Sequence, residues 1–323
     1  MSAMQAEAAK QPGSKYDRLI AAAKGVPTVS TIVVYPCDES SLRGAIESAE
    51  ADIIKAILVG PAARIKDVAT KHNLNISNFE IVDTAPTETA SAAKGVELIH
   101  AGRGEVLMKG SLHTDEIMRA VTAKDGGLRT NRRISHVFIM DVPAYTETVF
   151  VTDAAINIFP DLDVKRDIIQ NAVDLYNETG FGATPRVAIL SAVETVTSKI
   201  PSTIEAAALC KMADRKQITG ALLDGPLAFD NAIDMEAARI KGIKSEVAGR
   251  AQILVVPDLE SGNMLAKNLS YFAKADSAGI VLGARVPVVL TSRADTARSR
   301  MASAAVAALL ANARRRKAPI AAA

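Results

Sequence analysis

Pro287-Val-Val-Leu-Thr-Ser-Arg-Ala-Asp295 is the stretch on which the reading of this chain turns. Residues 287–290 are β-branched and apolar, the signature of a buried strand. Thr291 and Ser292 are helix-entry residues. Residues 294–316 are rich in Ala, Leu, Met and Arg and contain neither Gly nor Pro, which predicts one long helix. This order gathers the Ser292 hydroxyl, the Arg293 guanidinium and the unpaired N–H groups of a helix start at the positive end of the helix dipole. Such a place suits a small oxyanion such as phosphate. The simpler reading makes Ser292 only an N-cap and Arg293 a solvated charge, and the rest of the chain has to decide between them.

Upstream, apolar strands and amphipathic helices alternate. Strands are expected at 29–35, 55–59, 79–82 and 105–108, with helices at 37–50, 62–72, 88–101 and 114–121 between and after them. The runs 136–142 and 148–153 are separated by only a few residues, which predicts a hairpin and a crossing between domains. The alternation then resumes. Helices are expected at 161–179, 202–214, 230–241 and 261–275, and strands at 186–190, 218–223, 251–256 and 279–282. Continuous apolar strands alternating with helices predict parallel sheets covered on both faces, the doubly wound α/β class. The expected division is a discontinuous first domain of 1–143 plus 288–323 and a second domain of 144–287.

Ligands of such sheets bind beyond the carboxyl ends of the strands, so Lys109, Asp153, Ser191, Asp224, Asp258, Ser292 and Arg293 become the residues to weigh. Singly, each is as well explained by a turn or a cap. Arg298 and Arg300 read as surface charges on the last helix.

Composition bounds the function. The chain has 323 residues, long enough for two cores. Its 38 basic and 36 acidic side chains nearly cancel, which argues against a nucleic-acid-binding face. Cys37 and Cys210 stand far apart, in no metal-ligand or redox spacing, and fit a reducing compartment. The expectation is a cytoplasmic protein, without a secretory leader and without an apolar run of the roughly 20 residues that span a bilayer. No HExxH, GxSxG, GxGxxG or GxxxxGK[ST] pattern occurs, which disfavours zinc and serine hydrolases, dinucleotide enzymes and P-loop kinases.

Five segments in register do carry a resemblance. They are Thr152-Asp-Ala-Ala-Ile-Asn-Ile-Phe-Pro160, Arg186-Val-Ala-Ile-Leu-Ser191, Leu223-Asp-Gly-Pro-Leu-Ala-Phe-Asp230, Val255-Val-Pro-Asp-Leu-Glu-Ser-Gly-Asn263 followed by Lys267, and Leu290-Thr-Ser-Arg293. Together they resemble the phosphate acetyltransferase / phosphate butyryltransferase family. The resemblance implies reversible conversion of an acyl-CoA and phosphate to an acyl phosphate and CoA, by direct attack of phosphate on the thioester. It implies two doubly wound α/β domains with an active cleft between them, an architecture shared with isocitrate/isopropylmalate dehydrogenases, and a homodimer. Acetyl-CoA and phosphate are the implied substrates, with no bound cofactor and no metal.

By the same resemblance, Ser292 and Arg293 contact phosphate and the reacting acyl group, and Arg119 is a second phosphate contact. Lys109, Asn263 and Lys267 join them as candidate phosphate or CoA ligands. The acetyl-specific relatives carry an aspartate seven residues beyond the serine, where this chain has Ser299. Asp295 is then the candidate base, and its competing reading is an acid that complements the helix dipole. The Gly127-to-Thr130 and Ser135-to-Val137 segments resemble the butyryl branch, so butyryl transfer is the runner-up. Outside that activity stand a non-catalytic module that binds CoA or acyl phosphate and a metal-dependent decarboxylating dehydrogenase.

Overall fold

The structure is a computed structural model that describes residues 14–291 and 295–317. In chain order the strands are β1 (Val29–Val34), β2 (Ile54–Gly60), β3 (Glu80–Asp83), β4 (Val106–Lys109), β5 (Ser135–Asp141), β6 (Val149–Thr152), β7 (Arg186–Leu190), β8 (Leu222–Leu227), β9 (Ile253–Val255), β10 (Asp276–Leu282) and β11 (Val288–Val289). The helices are α1 (Lys15–Lys24), α2 (Glu39–Glu50), α3 (Ala62–Lys71), α4 (Glu88–His100), α5 (Thr114–Thr122), α6 (Leu162–Thr179), α7 (Pro201–Asp214), α8 (Phe229–Ile233), α9 (Met235–Ile240), α10 (Leu259–Tyr271) and α11 (Ala297–Arg315). Two compact units are present. One comprises Tyr16–Arg132 with the segment that begins at Ala278, and the other is built on Arg133–Ser277.

In the first unit the strand order is β3-β2-β1-β4-β11-β10. The strands β1 to β4 and β11 run parallel, and β10 pairs antiparallel with β11. All six residues of β1 except Ser30 are buried, as expected for a strand covered on both faces. Helix starts are fixed by side chains: Asp38 accepts from the Ser41 N–H at 2.8 Å, and Thr87 from the Ala90 N–H at 3.2 Å. The last helix packs a stripe of small residues, Ala304, Ala307, Ala308 and Ala311, into the core. Its far end is tied down where Asn312 donates to the Pro27 carbonyl at 2.8 Å and Arg315 pairs with Glu105.

In the second unit the order is β5-β6-β9-β7-β8, with β5 and β6 an antiparallel pair and the rest parallel. Met140, Val151, Leu190, Leu227, Leu254 and Val256 form the centre of one core cluster. The hairpin loop after β5 is held by Lys15, whose Nζ donates to the carbonyls of Val142, Tyr145 and Glu147 and pairs with Asp141 at 3.0 Å.

Several local expectations are corrected. The last helix begins at Ala297, because Thr296 adopts an extended conformation and its hydroxyl accepts from the Ser299 N–H at 3.1 Å. The N-cap is therefore Thr296, and Asp295 precedes the helix rather than lying in its first turn. The expected helix 230–241 breaks at Asp234, which is extended and caps α9 by accepting from the Ala237 N–H at 2.7 Å. Strand β8 continues through Asp224-Gly225-Pro226, the triplet expected to end it. Arg300, expected on the surface, is 2% exposed.

Candidate active site

The carboxyl end of β4 is Lys109-Gly110-Ser111, and its backbone is locked to the end of β1. Gly110 and Ser111 donate their N–H groups to the Val34 and Tyr35 carbonyls at 2.8 and 2.9 Å. A Cβ on Gly110 would overlap those same carbonyl oxygens, so only glycine allows this approach. The Ser111 hydroxyl donates to the Tyr35 carbonyl at 2.9 Å and accepts from the Cys37 N–H at 3.2 Å. The Cys37 thiol is buried in that turn, and desolvation pushes its pKa up to about 11, so it stays a thiol at neutral pH.

Two cations are buried beside this turn. Lys109 is 3% exposed and its Nζ lies 3.4 Å from both the Gly110 and Thr291 carbonyls. Arg300 donates through Nη1 to the Thr291 hydroxyl at 2.7 Å and through Nε to the Ser40 hydroxyl at 3.1 Å. Gly44 on α2 makes room for it, since a Cβ there would stand 2.8 Å from the Arg300 Cδ. Burial pulls the Arg300 pKa down, while the charges of Asp295 and Asp38 push it up. A guanidinium remains protonated through such a shift. Thr291, the last described residue before Ser292, is thus held by Lys109 on its carbonyl and by Arg300 on its hydroxyl. Lys109 at the end of β4 and Arg300 on α11, both buried beside Thr291, create a positive potential of the kind that binds an oxyanion.

Of the sequence candidates, Lys109 belongs to this cluster, Asp295 is near enough for its charge to act on Arg300, and Ser292 and Arg293 lie outside the described residues. Arg119 is on the exposed side of α5, paired with Glu116 at 2.6 Å. The Glu116 carboxyl is held below its usual range by hydrogen bonds from Thr89 and Arg119.

Asn263 and Lys267 lie on α10 of the second unit; Asn263 donates to the Ala154 carbonyl at 3.3 Å and Lys267 is exposed. The carbonyl it reaches belongs to the loop after β6, which Asp153 organises. That buried carboxylate accepts from the Ala155, Ile156 and Asn157 N–H groups and from Asn157 Nδ2. Burial pushes its pKa up against the pull of those bonds. The other residues weighed at strand ends are engaged in local hydrogen bonds. Ser191 bonds Ser202, Asp224 accepts from the Gly225 N–H, and Asp258 forms a capping box with Ser261. Among the described residues no three His, Cys, Asp or Glu side chains converge to hold a metal ion.

Sequence reasoning missed Arg300. A signal existed: Arg300 precedes Ala304, Ala307, Ala308 and Ala311 at helical spacing and so falls on the buried stripe. Gly44, an unexplained glycine inside a helix, marked the space it fills.

Comparison with known proteins identifies the family. The pattern of the phosphate acetyl/butaryl transferase family matches residues 85–308. A phosphate acetyltransferase of Rhizobium meliloti is 69% identical over 309 residues, which cover 96% of this chain and 97% of that protein. A phosphate butyryltransferase of Clostridium beijerinckii is 42% identical over 296 residues, covering 92% of this chain and 97% of its own length. The crystal structure of a branched-chain phosphotransacylase from Enterococcus faecalis V583 has a TM-score of 0.77 at 29% identity, over 88% of this chain and 99% of that one. By the match of the family pattern over most of its length and the 69% identity to one member, the chain belongs to the phosphate acetyl/butaryl transferase family.

Proposed function

We propose that this protein is a phosphate acetyltransferase, converting acetyl-CoA and inorganic phosphate to acetyl phosphate and CoA. The observation that carries the choice of acyl group is the 69% identity to a phosphate acetyltransferase across nearly the full length of both chains, against 42% for a butyryltransferase. The buried Lys109, at the end of β4, and Arg300, on α11, support the phosphate half of the reaction.

In this reading phosphate is held by Arg293 in a bidentate, charge-assisted contact, with Arg119 a second candidate. One phosphate oxygen attacks the thioester carbonyl carbon, and the carbonyl oxygen takes the negative charge. The Ser292 hydroxyl donates to that oxyanion, a contribution of about 3 kcal/mol for one such donor. Collapse of the tetrahedral species breaks the C–S bond and releases CoA as the thiolate, which then takes up a proton. In the return direction a base must remove that proton, and Asp295 is the candidate. Asn263 and Lys267 are proposed contacts for the CoA. Lys109 and Arg300 act one step back, by fixing Thr291 and hence the entry to Ser292-Arg293.

We take the two compact units as the two domains and place the protein in the cytoplasm, which fits its free cysteines; none of its described helices is long and apolar enough to cross a membrane. We also propose a homodimer. Ile158, Phe159, Met264 and Tyr271 are large apolar side chains exposed by 59% or more. The loop carrying the first two adjoins the start of α10, where Leu259 donates to the Ile158 carbonyl at 3.1 Å, and Met264 and Tyr271 share one face of that helix. Light scattering that gives the mass of a single chain would reject the dimer. The acyl assignment is tested by release of CoA thiol from acetyl-, propionyl- and butyryl-CoA at saturating phosphate. The acetyl ester should give the highest kcat/KM, and a higher value for butyryl-CoA would overturn it. Arg293→Ala should raise the KM for phosphate and lower kcat; unchanged kinetics would remove Arg293 from the site.

A further inference from the structure

A second basic site lies in the first unit, at the opposite edge of its sheet from Lys109. Because β11 runs parallel to β4 and antiparallel to β10, the turn from β10 to β11 sits where β4 begins. His100, the last residue of α4, leads into β4 on the same edge. There His100, Lys124, Arg129 and Arg285 line an open hollow of about 460 Å³ with Gly126, Gly127 and Thr130. No carboxylate lines it.

The hollow is built rather than a chance meeting of surface side chains. The Arg285 N–H donates to the Leu128 carbonyl at 2.8 Å, Arg129 bridges Ala284, and the Thr130 hydroxyl donates to the Gly283 carbonyl at 2.7 Å. Arg285 Nη1 stands 3.0 Å from His100 Nδ1. A guanidinium can only donate, so Nδ1 accepts and the ring proton sits on Nε2, which donates to the Gly126 and Gly127 carbonyls at 3.1 and 3.0 Å. The imidazole thus holds Arg285 in place. Among the described residues, Lys124 and Arg129 make no side-chain hydrogen bond and no ion pair. Asp125, the acid in the same loop, is not among the lining residues.

We infer that this hollow binds a small polyanion, a molecule with two or more phosphate or carboxylate groups, separately from the phosphate that takes part in acyl transfer. Three permanent cations converge on a concave surface without an acid to neutralise them, and Arg129 and Arg285 offer planar forks suited to bidentate oxyanion contacts. The volume admits more than a single phosphate. Occupation would bear on Arg285, which stands two residues before the segment 287–291 that ends at Thr291.

The test is calorimetric titration of the intact protein with inorganic pyrophosphate at low ionic strength, using the wild type, Arg129→Ala/Arg285→Ala and Arg293→Ala. Pyrophosphate should bind the wild type, bind the double variant at least about tenfold more weakly, and bind Arg293→Ala within about twofold of the wild type. Absence of binding to the wild type, equal affinity in the double variant, or loss only in Arg293→Ala would each overturn the proposal. Should the double variant melt early, Lys124→Glu, on an exposed side chain, provides the same readout by reversing one charge of the hollow.

Discussion

Replacing Arg300 by Met keeps the aliphatic stem against Gly44 and removes only the buried guanidinium. Two hydroxyls, on Thr291 and Ser40, then lose a charge-assisted donor. Leaving a buried polar group unsatisfied costs about 1–3 kcal/mol. Both hydroxyls can still rotate toward other acceptors, so the lower end applies to each, about 2 kcal/mol for the pair. Removing the guanidinium also relieves the desolvation that pulls its pKa down, which offsets part of that loss. The expected net destabilisation is about 1–2 kcal/mol, a fall in Tm of about 2–6 °C. The kinetic effect should be larger in proportion. Thr291 would be held on its carbonyl side alone, and a displacement of about 1 Å at a reacting group can cost about 100-fold in rate. Thiol release from acetyl-CoA should therefore show kcat down by one to two orders of magnitude, with a smaller change in the KM for acetyl-CoA. Arg300→Lys, which keeps the charge but loses the fork, should recover stability more than rate. If Arg300→Met matched the wild type in both Tm and kcat, the guanidinium would be a mere filler of the space beside Gly44, and the positioning role would be wrong.

The remaining predictions concern folding and pH. His136 is fully buried, its Nδ1 has no partner, and burial pulls its pKa down to about 3. Its folded pKa lies below the unfolded value, so the unfolded chain binds the extra proton; stability present above about pH 6.5 is lost as the pH falls toward 3, by at most about 1.4 kcal/mol per pH unit. His136→Leu should flatten the Tm-versus-pH curve below pH 6.5 relative to wild type, and curves that stay parallel would refute the assignment. Gly110→Ala should destabilise the first unit by about 3 kcal/mol through overlap with the Val34 and Tyr35 carbonyls, read as a lower urea midpoint. A midpoint equal to wild type would show that the turn can yield.

The strand–helix alternation was legible because buried strands such as β1 are apolar without interruption and long helices such as α6 carry an acidic N-cap, here Asp161. The break at Asp234 was not, because an Asp within a helical pattern reads as a surface residue until its carboxylate is seen to cap the next turn. The start of α11 was misplaced for a related reason. Ser292, Asp295 and Thr296 all favour N-caps, and only the backbone conformation of Thr296 chooses among them. At the candidate site, Lys109 could be read from its place after a strand. Arg300 could not be read from residue type, since arginine is rarely buried and its hydroxyl partners lie nine and 260 residues away.

The sheet order of the first unit has a consequence for synthesis. Strand β11 sits between β4 and β10, yet Ala278 leaves the ribosome only after the 145 residues from Arg133 to Ser277. At about 5–20 residues per second this is a wait of roughly 7–30 s. Throughout it the β4 edge lacks the partner that β11 later supplies, while the five strands of the intervening unit emerge one after another. An apolar edge left open for that time is a template for pairing with another nascent chain, so yield on expression should rise with chaperones and fall as translation slows, far more than the finished stability would indicate.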